Sequence, residues 1–168
     1  MAERFKWMIR LILGKYCAGD YIRLGRELVN PHFWNGIVKR KFNHIGNQYH
    51  LEIPNFENIG ANLVLLHPSD ITVNPAAIIG KNCVLFKNAT IGSVRSGKRK
   101  GVPKIGDNCV IGTAAFVCGG IHIGNNVLIC ANAFVDFDVP DHSIVLGNPG
   151  VIHHKENATA DYMSNDGF

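Results

Sequence analysis

The stretch NLVLLHPSD, from Asn62 to Asp70, sets a histidine directly behind an unbroken apolar run. An imidazole there can be a packed core group, a metal ligand or a general base, because its ordinary pKa lies close to neutrality. As a base, His67 would take the proton from a hydroxyl that is too weak a nucleophile to attack unaided. As a zinc ligand it would need two more protein ligands and an open position. His122 is the only other histidine inside the patterned region after residue 59, and no further histidine follows it there; His153 and His154 come later. Five cysteines (Cys17, Cys83, Cys109, Cys118 and Cys130) form no CxxC pair and no zinc spacing. Cys118 and Cys130 lack a basic neighbour that would make a thiolate, so they read as small fillers rather than nucleophiles. His32, His44, His50 and His142 read as surface or capping residues.

The chain has 168 residues, 46% apolar and 18% charged, with a formal charge of +4. That composition fits one folded domain with a small appendage and is unlike a disordered chain. The mild charge does not point to nucleic acid. The odd number of scattered cysteines suits reduced thiols, hence a cytoplasmic protein. The opening MAERFKWMIRLILGKYC is interrupted by Arg10 and has no small-residue cleavage site, so it reads as neither signal peptide nor membrane span. As a basic amphipathic helix it could make peripheral contact with the inner face of a membrane.

What would hold His67 in place is a repeat of six. From Ile53, the rows IPNFEN, IGANLV and LLHPSD are followed, after Ile71-Thr72, by VNPAAI, IGKNCV, LFKNAT and IGSVRS. The register breaks across GKRKGVPK and resumes with IGDNCV, IGTAAF, VCGGIH, IGNNVL and ICANAF. An aliphatic residue heads each row, and the fifth position is mostly small or aliphatic. This is the signature of a hexapeptide β-helix, with first and fifth positions pointing into a narrow core and Gly or Asn at corners that need positive φ. Three rows make one triangular coil, so about four coils stack at about 4.8 Å. Fifteen to eighteen residues is then one turn, which lets Glu52 and His67 stack in adjacent coils. A carboxylate on the second ring nitrogen would fix the tautomer and stabilise the imidazolium. Residues 1–50 read as a helical cap on the open end, with Phe5, Met8, Ile9, Ile12 and Leu13, then Tyr21, Leu24 and Leu28, at helical spacing. Residues 51–150 read as the β-helix with a protruding loop at 94–104, and 151–168 as a tail with mobile last residues.

Residues 52–150 resemble the left-handed β-helix acetyltransferases, specifically the serine acetyltransferases and related polysaccharide O-acetyltransferases. The segments that carry the likeness are EIPNFENIGANLVLLHP, VNPAAIIGKNCVLFKNATIG, RSGKRKGVPKIGDNCVIG and DVPDHSIVLGNPG. The resemblance implies a left-handed helix and acetyl-CoA as co-substrate, with no metal. It places His67 at the catalytic base and Glu52 at the acidic residue that orients it. It implies CoA contacts along the corners at Ser93, Thr113 and Ala131 and at the turn Gly147, Asn148 and Pro149. It further implies a homotrimer with sites between subunits, the loop covering a neighbour's site. Arg95, Lys98, Arg99 and Lys100 in that loop could face the CoA phosphates or an anionic acceptor. The chain also departs from the serine enzymes. Leu66 stands where they have an aspartate before the histidine, and Gly101 and Val102 stand where they have Arg and His. Both groups that would clamp serine are missing, so a sugar or polysaccharide-precursor hydroxyl is the expected acceptor. Serine or another amino acid is the alternative, ahead of a non-enzymatic scaffold or a γ-carbonic-anhydrase-like metalloprotein.

Overall fold

A computed structural model describes residues 17–30 and 33–163. The expectations for Phe5 to Leu13 and for His32 fall outside those residues. The first helices are α1 (Gly19–Val29) and α2 (Asn35–Tyr49). They are followed by a short 3-10 turn at Phe56–Asn58 and thirteen strands of two to four residues. Among the described residues no helix is long and apolar enough to cross a membrane.

The strands wind into a three-sided parallel β-helix. One side stacks β1 (Val64–Leu66), β4 (Val84–Phe86), β7 (Val110–Ile111), β10 (Val127–Ile129) and β12 (Ser143–Leu146). A second stacks β2 (Thr72–Val73), β5 (Thr90–Gly92), β8 (Phe116–Cys118) and β11 (Phe134–Val135). The third stacks β3 (Ile78–Ile79), β6 (Lys104–Ile105) and β9 (His122–Ile123). The first side therefore has five parallel rungs, one more than twelve hexapeptide rows supply, because residues 143–146 continue the coil beyond the last row.

The repeat works as a packing code. Row heads Ile79, Leu85, Ile91, Ile105, Ile111, Val117, Ile123 and Ile129 are all 3% exposed or less, as are fifth-position Cys83, Ala89, Cys109, Ala115, Ile121, Val127 and Ala133. Each buried aliphatic side chain contributes about 1.5–3 kcal/mol. The small fifth-position residues let three faces meet in one narrow interior.

The open end is capped by bonding as well as packing. Tyr21 from α1 donates its hydroxyl to the Leu51 carbonyl (3.0 Å) and accepts the Ile53 N–H (3.1 Å). Arg26 donates to the carbonyls of Ile59 (2.7 Å) and Gly60. These groups satisfy first-coil backbone that has no preceding rung to pair with. Tyr21 stacks on Phe42 of α2 at 4.3 Å, and both meet Phe56 edge-on, so the cap continues the core.

The segment after Gly150, read as a tail, pairs and packs on the coils up to residue 163, and its last residues fall outside those described. β13 (Val151–His154) runs antiparallel to β12, and a final turn of helix, α3 (Ala160–Met163), follows. The fold-back lays Ala158, Tyr162 and Met163 over the outer surface of the first side, covering Val84, Val110 and Leu128. Asn126 anchors it by accepting from the Thr159 hydroxyl (2.8 Å) and N–H (3.1 Å).

Candidate functional site

The corner that carries His67 differs from the corners stacked on it. β1 ends at Leu66 and β2 starts at Thr72, leaving five residues, whereas three separate β4 from β5. The two extra residues make a bulge in which His67 (φ 49°) and Asp70 (φ 54°) are left-handed. It is stapled on both sides: the Asp70 N–H donates to Tyr49 O (3.0 Å), and the Asn88 N–H donates to Ser69 O (2.9 Å). Leu63 and Leu65 turn inward to the core while Leu66 packs on the outer apolar cluster, so the strand delivers His67 to an exposed edge.

Glu52 lies at the same corner one rung earlier, but not directly beneath His67. The bulge lengthens this coil to twenty residues, so Glu52 bridges Thr72, five residues past the histidine. Both side chains are exposed, and among the described residues no hydrogen bond joins them.

The carboxylate–imidazole pair that does form at this corner is Asp70 with His50, at 3.0 Å. The Ser69 hydroxyl donates to the same carboxylate. These two bonds, the hydroxyl foremost, hold the Asp70 carboxyl below its ordinary pKa. His50 had read only as a surface or capping residue, and it does close α2 with φ 51°. The signal for its second role is the spacing of twenty residues to Asp70, equal to this coil and visible only once the bulge is known. Lys87 is the next residue on the His67 column: its N–H donates to Leu66 O at 3.1 Å, and its side chain is exposed. Sequence reasoning passed over it as well.

Above Lys87 the column continues through Thr113 and Ala131, linked by Ala114 N–H to Lys87 O (3.1 Å) and Asn132 N–H to Thr113 O (2.9 Å), and the pairing of Ile129 with Val145 sets Gly147 next. Asn148 and Pro149, joined by a cis peptide, finish that edge. Ser93, Lys98 and Arg99 lie at the next corner, across the second side. Between the two edges the outer row of that side reads Glu52, Thr72, Thr90, Phe116, Phe134, polar near His67 and aromatic far from it. Phe116 and Phe134 stack at 5.9 Å.

This architecture has close counterparts. Residues 104–136 match the model of the hexapeptide repeat of succinyl-transferase. A serine acetyltransferase of Synechococcus elongatus is 33% identical over 113 residues, 66% of this chain and 46% of that protein. One from Staphylococcus aureus is 36% identical over 102 residues, 61% of this chain and 48% of that protein. A serine acetyltransferase solved in complex with CoA superposes with a TM-score of 0.64 at 23% identity, over 82% of this chain and 58% of that one. The chain is a hexapeptide-repeat protein whose coils are similar to those of serine acetyltransferases. It spans about half the length of the curated relatives it matches. Its coils are those of the left-handed β-helix.

Within this hexapeptide-repeat chain, the loop at 94–104 closes on a crossing that is crowded for any side chain. Val94 and Gly101 close the loop by an antiparallel bridge. Gly101 has φ 138°, and a Cβ there would sit 2.9 Å from Gly120 Cα. No side chain fits that crossing. The loop lies on the Gly119–Gly120 corner, where the Gly120 N–H donates to Arg99 O (2.8 Å) and Arg99 pairs with Asp138 (3.5 Å). Lys98 and Lys100 are exposed. Gly120→Ala would put a Cβ 2.7 Å from Lys100 O. That variant is expected to lift the loop at a cost of about 1–3 kcal/mol. Limited trypsin digestion checks it: cleavage after Lys98, Arg99 or Lys100 should speed up severalfold, and an unchanged rate would show that the glycine does not seat the loop.

The hydrogen bond with Cys109 lowers the pKa of the buried Cys83 thiol. Burial raises the pKa of Cys118 and Cys130, and the hydrogen bond with Cys83, then burial, raises that of Cys109. Among the described residues no three His, Cys, Asp or Glu side chains gather to hold a metal. His122 lies outward on the third side, away from the His67 corner.

Proposed function

We propose that this chain is an acetyl-CoA-dependent O-acetyltransferase with His67 as general base. The observation that carries the reading is the placement of His67 on a bulged, exposed corner at the head of the Lys87–Thr113–Ala131–Gly147 column. That edge gives an extended thioester arm a row of small residues and backbone to lie against. Relatives named serine acetyltransferase, one of them solved with CoA, support the donor.

The chemistry is direct transfer. His67 takes the proton of an acceptor hydroxyl as its oxygen attacks the thioester carbonyl carbon. The C–S bond breaks, and the imidazolium returns the proton to the leaving thiolate. Glu52, across the same corner, orients the ring once donor and acceptor close the site. The raised thiols of Cys118 and Cys130 fit a route with no acyl-enzyme. Ser93, Asn148 and Pro149 line the donor path, Lys98 and Arg99 meet its phosphates, and the working unit is a homotrimer with sites between subunits.

The names of the relatives support serine as acceptor better than a sugar hydroxyl. A sugar or polysaccharide precursor is the reading favoured by Leu66 and by the side-chain-free crossing at Gly101. Thiol release from acetyl-CoA, measured with serine and with a panel of sugar glycosides and nucleotide sugars, tests both. Release above the hydrolytic background with one class names the acceptor. Failure to bind CoA at millimolar concentration would overturn the enzyme reading in favour of a scaffold.

A further inference from the structure

The cap presents a surface that the β-helix does not use. α2 buries Val38 and Ile45 and packs Phe42 and Tyr49 on the core. At and just before its N-terminal end stand Phe33, Trp34 and Ile37, which are 92%, 51% and 50% exposed. Phe33 and Trp34 meet edge to face at 5.2 Å, so the aromatic pair is organised outside the core. Lys39 and Arg40 follow within the next turn and are exposed, and from Asn30 to Leu51 the sequence has no Asp or Glu. Three large apolar groups on one turn, flanked by cations and free of acid, match the composition of a helix that rests in a lipid headgroup layer. Aromatic rings favour the headgroup level, and each Lys or Arg near an anionic leaflet strengthens binding.

We propose that Phe33, Trp34 and Ile37, with Lys39 and Arg40, form a docking surface for an anionic lipid bilayer. The surface is separate from the His67 corner and does not depend on the activity proposed there. The charge pattern selects the bilayer over a second copy of the chain, since a self-contact would set the same cations against each other.

The test is cosedimentation of the full-length protein with vesicles of phosphatidylglycerol and phosphatidylcholine, against pure phosphatidylcholine. The chain should partition onto the anionic vesicles at least tenfold more strongly and come off as salt rises. With its circular dichroism unchanged, the triple variant F33S/W34S/I37S should partition at least tenfold more weakly. In a Trp7→Phe background, Trp34 emission should shift to the blue on vesicle addition. No binding of the unaltered chain at low salt overturns the proposal. Equal binding by the triple variant also overturns it, by moving the contact to another part of the chain. So does a drop in oligomeric mass of the triple variant with vesicle binding retained, which would make the patch a contact between copies. A triple variant that misfolds is replaced by K39E/R40E, which should abolish the preference for anionic vesicles; an unchanged preference is again fatal.

Discussion

His67→Ala should lower acetyl transfer by about 10² to 10⁴-fold, the usual worth of a positioned general base, while leaving CoA binding nearly intact. The side chain is exposed on a bulge held without it, by Asp70 N–H to Tyr49 O, Asn88 N–H to Ser69 O and the Asp70–His50 pair. Removing the imidazole leaves those bonds in place, and thermal unfolding of the variant separates a loss of rate from strain at the left-handed His67 (φ 49°). The measurement is turnover under saturating acetyl-CoA alongside calorimetric CoA binding. Unchanged turnover would remove His67 from the mechanism. Glu52→Gln should cost less than His67→Ala, because an orienting group acts through the base. Asp70→Gly separates the two carboxylates. Glycine suits the left-handed backbone at that position (φ 54°) and deletes the partner of His50. If Asp70→Gly proves as damaging as His67→Ala while Glu52→Gln is silent, the carboxylate that serves the reaction is the one already hydrogen-bonded in the structure.

That ambiguity shows where the sequence was legible and where it was not. The row heads and fifth positions were readable because burial in a narrow triangular core leaves few residue types, as the buried row heads from Ile79 to Ile129 show. His67 was readable because it interrupts that code after an apolar run. Its partner was harder, because stacking depends on the length of the coil. Fifteen to eighteen residues holds for regular coils, as in Thr72 over Thr90, eighteen apart, but the bulge makes the first coil twenty, as in Val64 over Val84. A two-residue insertion of this kind changes which groups meet without disturbing the hydrophobic pattern on either side of it. The tail was illegible for a related reason. Residues 151–163 carry no hexapeptide signal, and what orders them is an antiparallel pairing and the apolar outer surface of a distant side.

Gly80→Ala should be the most destabilising single-methyl change in the coils, at about 2–4 kcal/mol, for a reason the sequence pattern alone misattributes. Glycine and asparagine at the corners both read as residues that tolerate positive φ. In the structure they divide the labour. Asn62, Asn82, Asn108 and Asn126 carry φ of 53–58°. The glycines two residues earlier, Gly60, Gly80, Gly106 and Gly124, do not take that conformation; they are where successive coils touch. A Cβ on Gly80 would lie 2.5 Å from both C and O of Gly106, and one on Gly60 would lie 2.5 Å from C of Gly80. The Asp107 carboxylate, whose Oδ1 would lie 2.3 Å from the Gly80 Cβ, can swing aside, but the backbone atoms cannot, because the rungs cannot move apart without lengthening hydrogen bonds such as Gly80 N–H to Ile105 O at 2.9 Å. The backbone part of the strain therefore has no flexible side chain to absorb it. Asn82→Gly is the contrasting control: it keeps the left-handed corner and loses only exposed side-chain bonds to Asn62 (2.9 Å) and Asn108 (3.1 Å), for a change of about 1 kcal/mol or less. Thermal unfolding distinguishes the two explanations. If close approach governs these positions, Gly80→Ala should lower Tm by about 4–16 °C and Asn82→Gly should barely move it. Equal, small shifts in both would mean that the coils have more slack than their spacing implies.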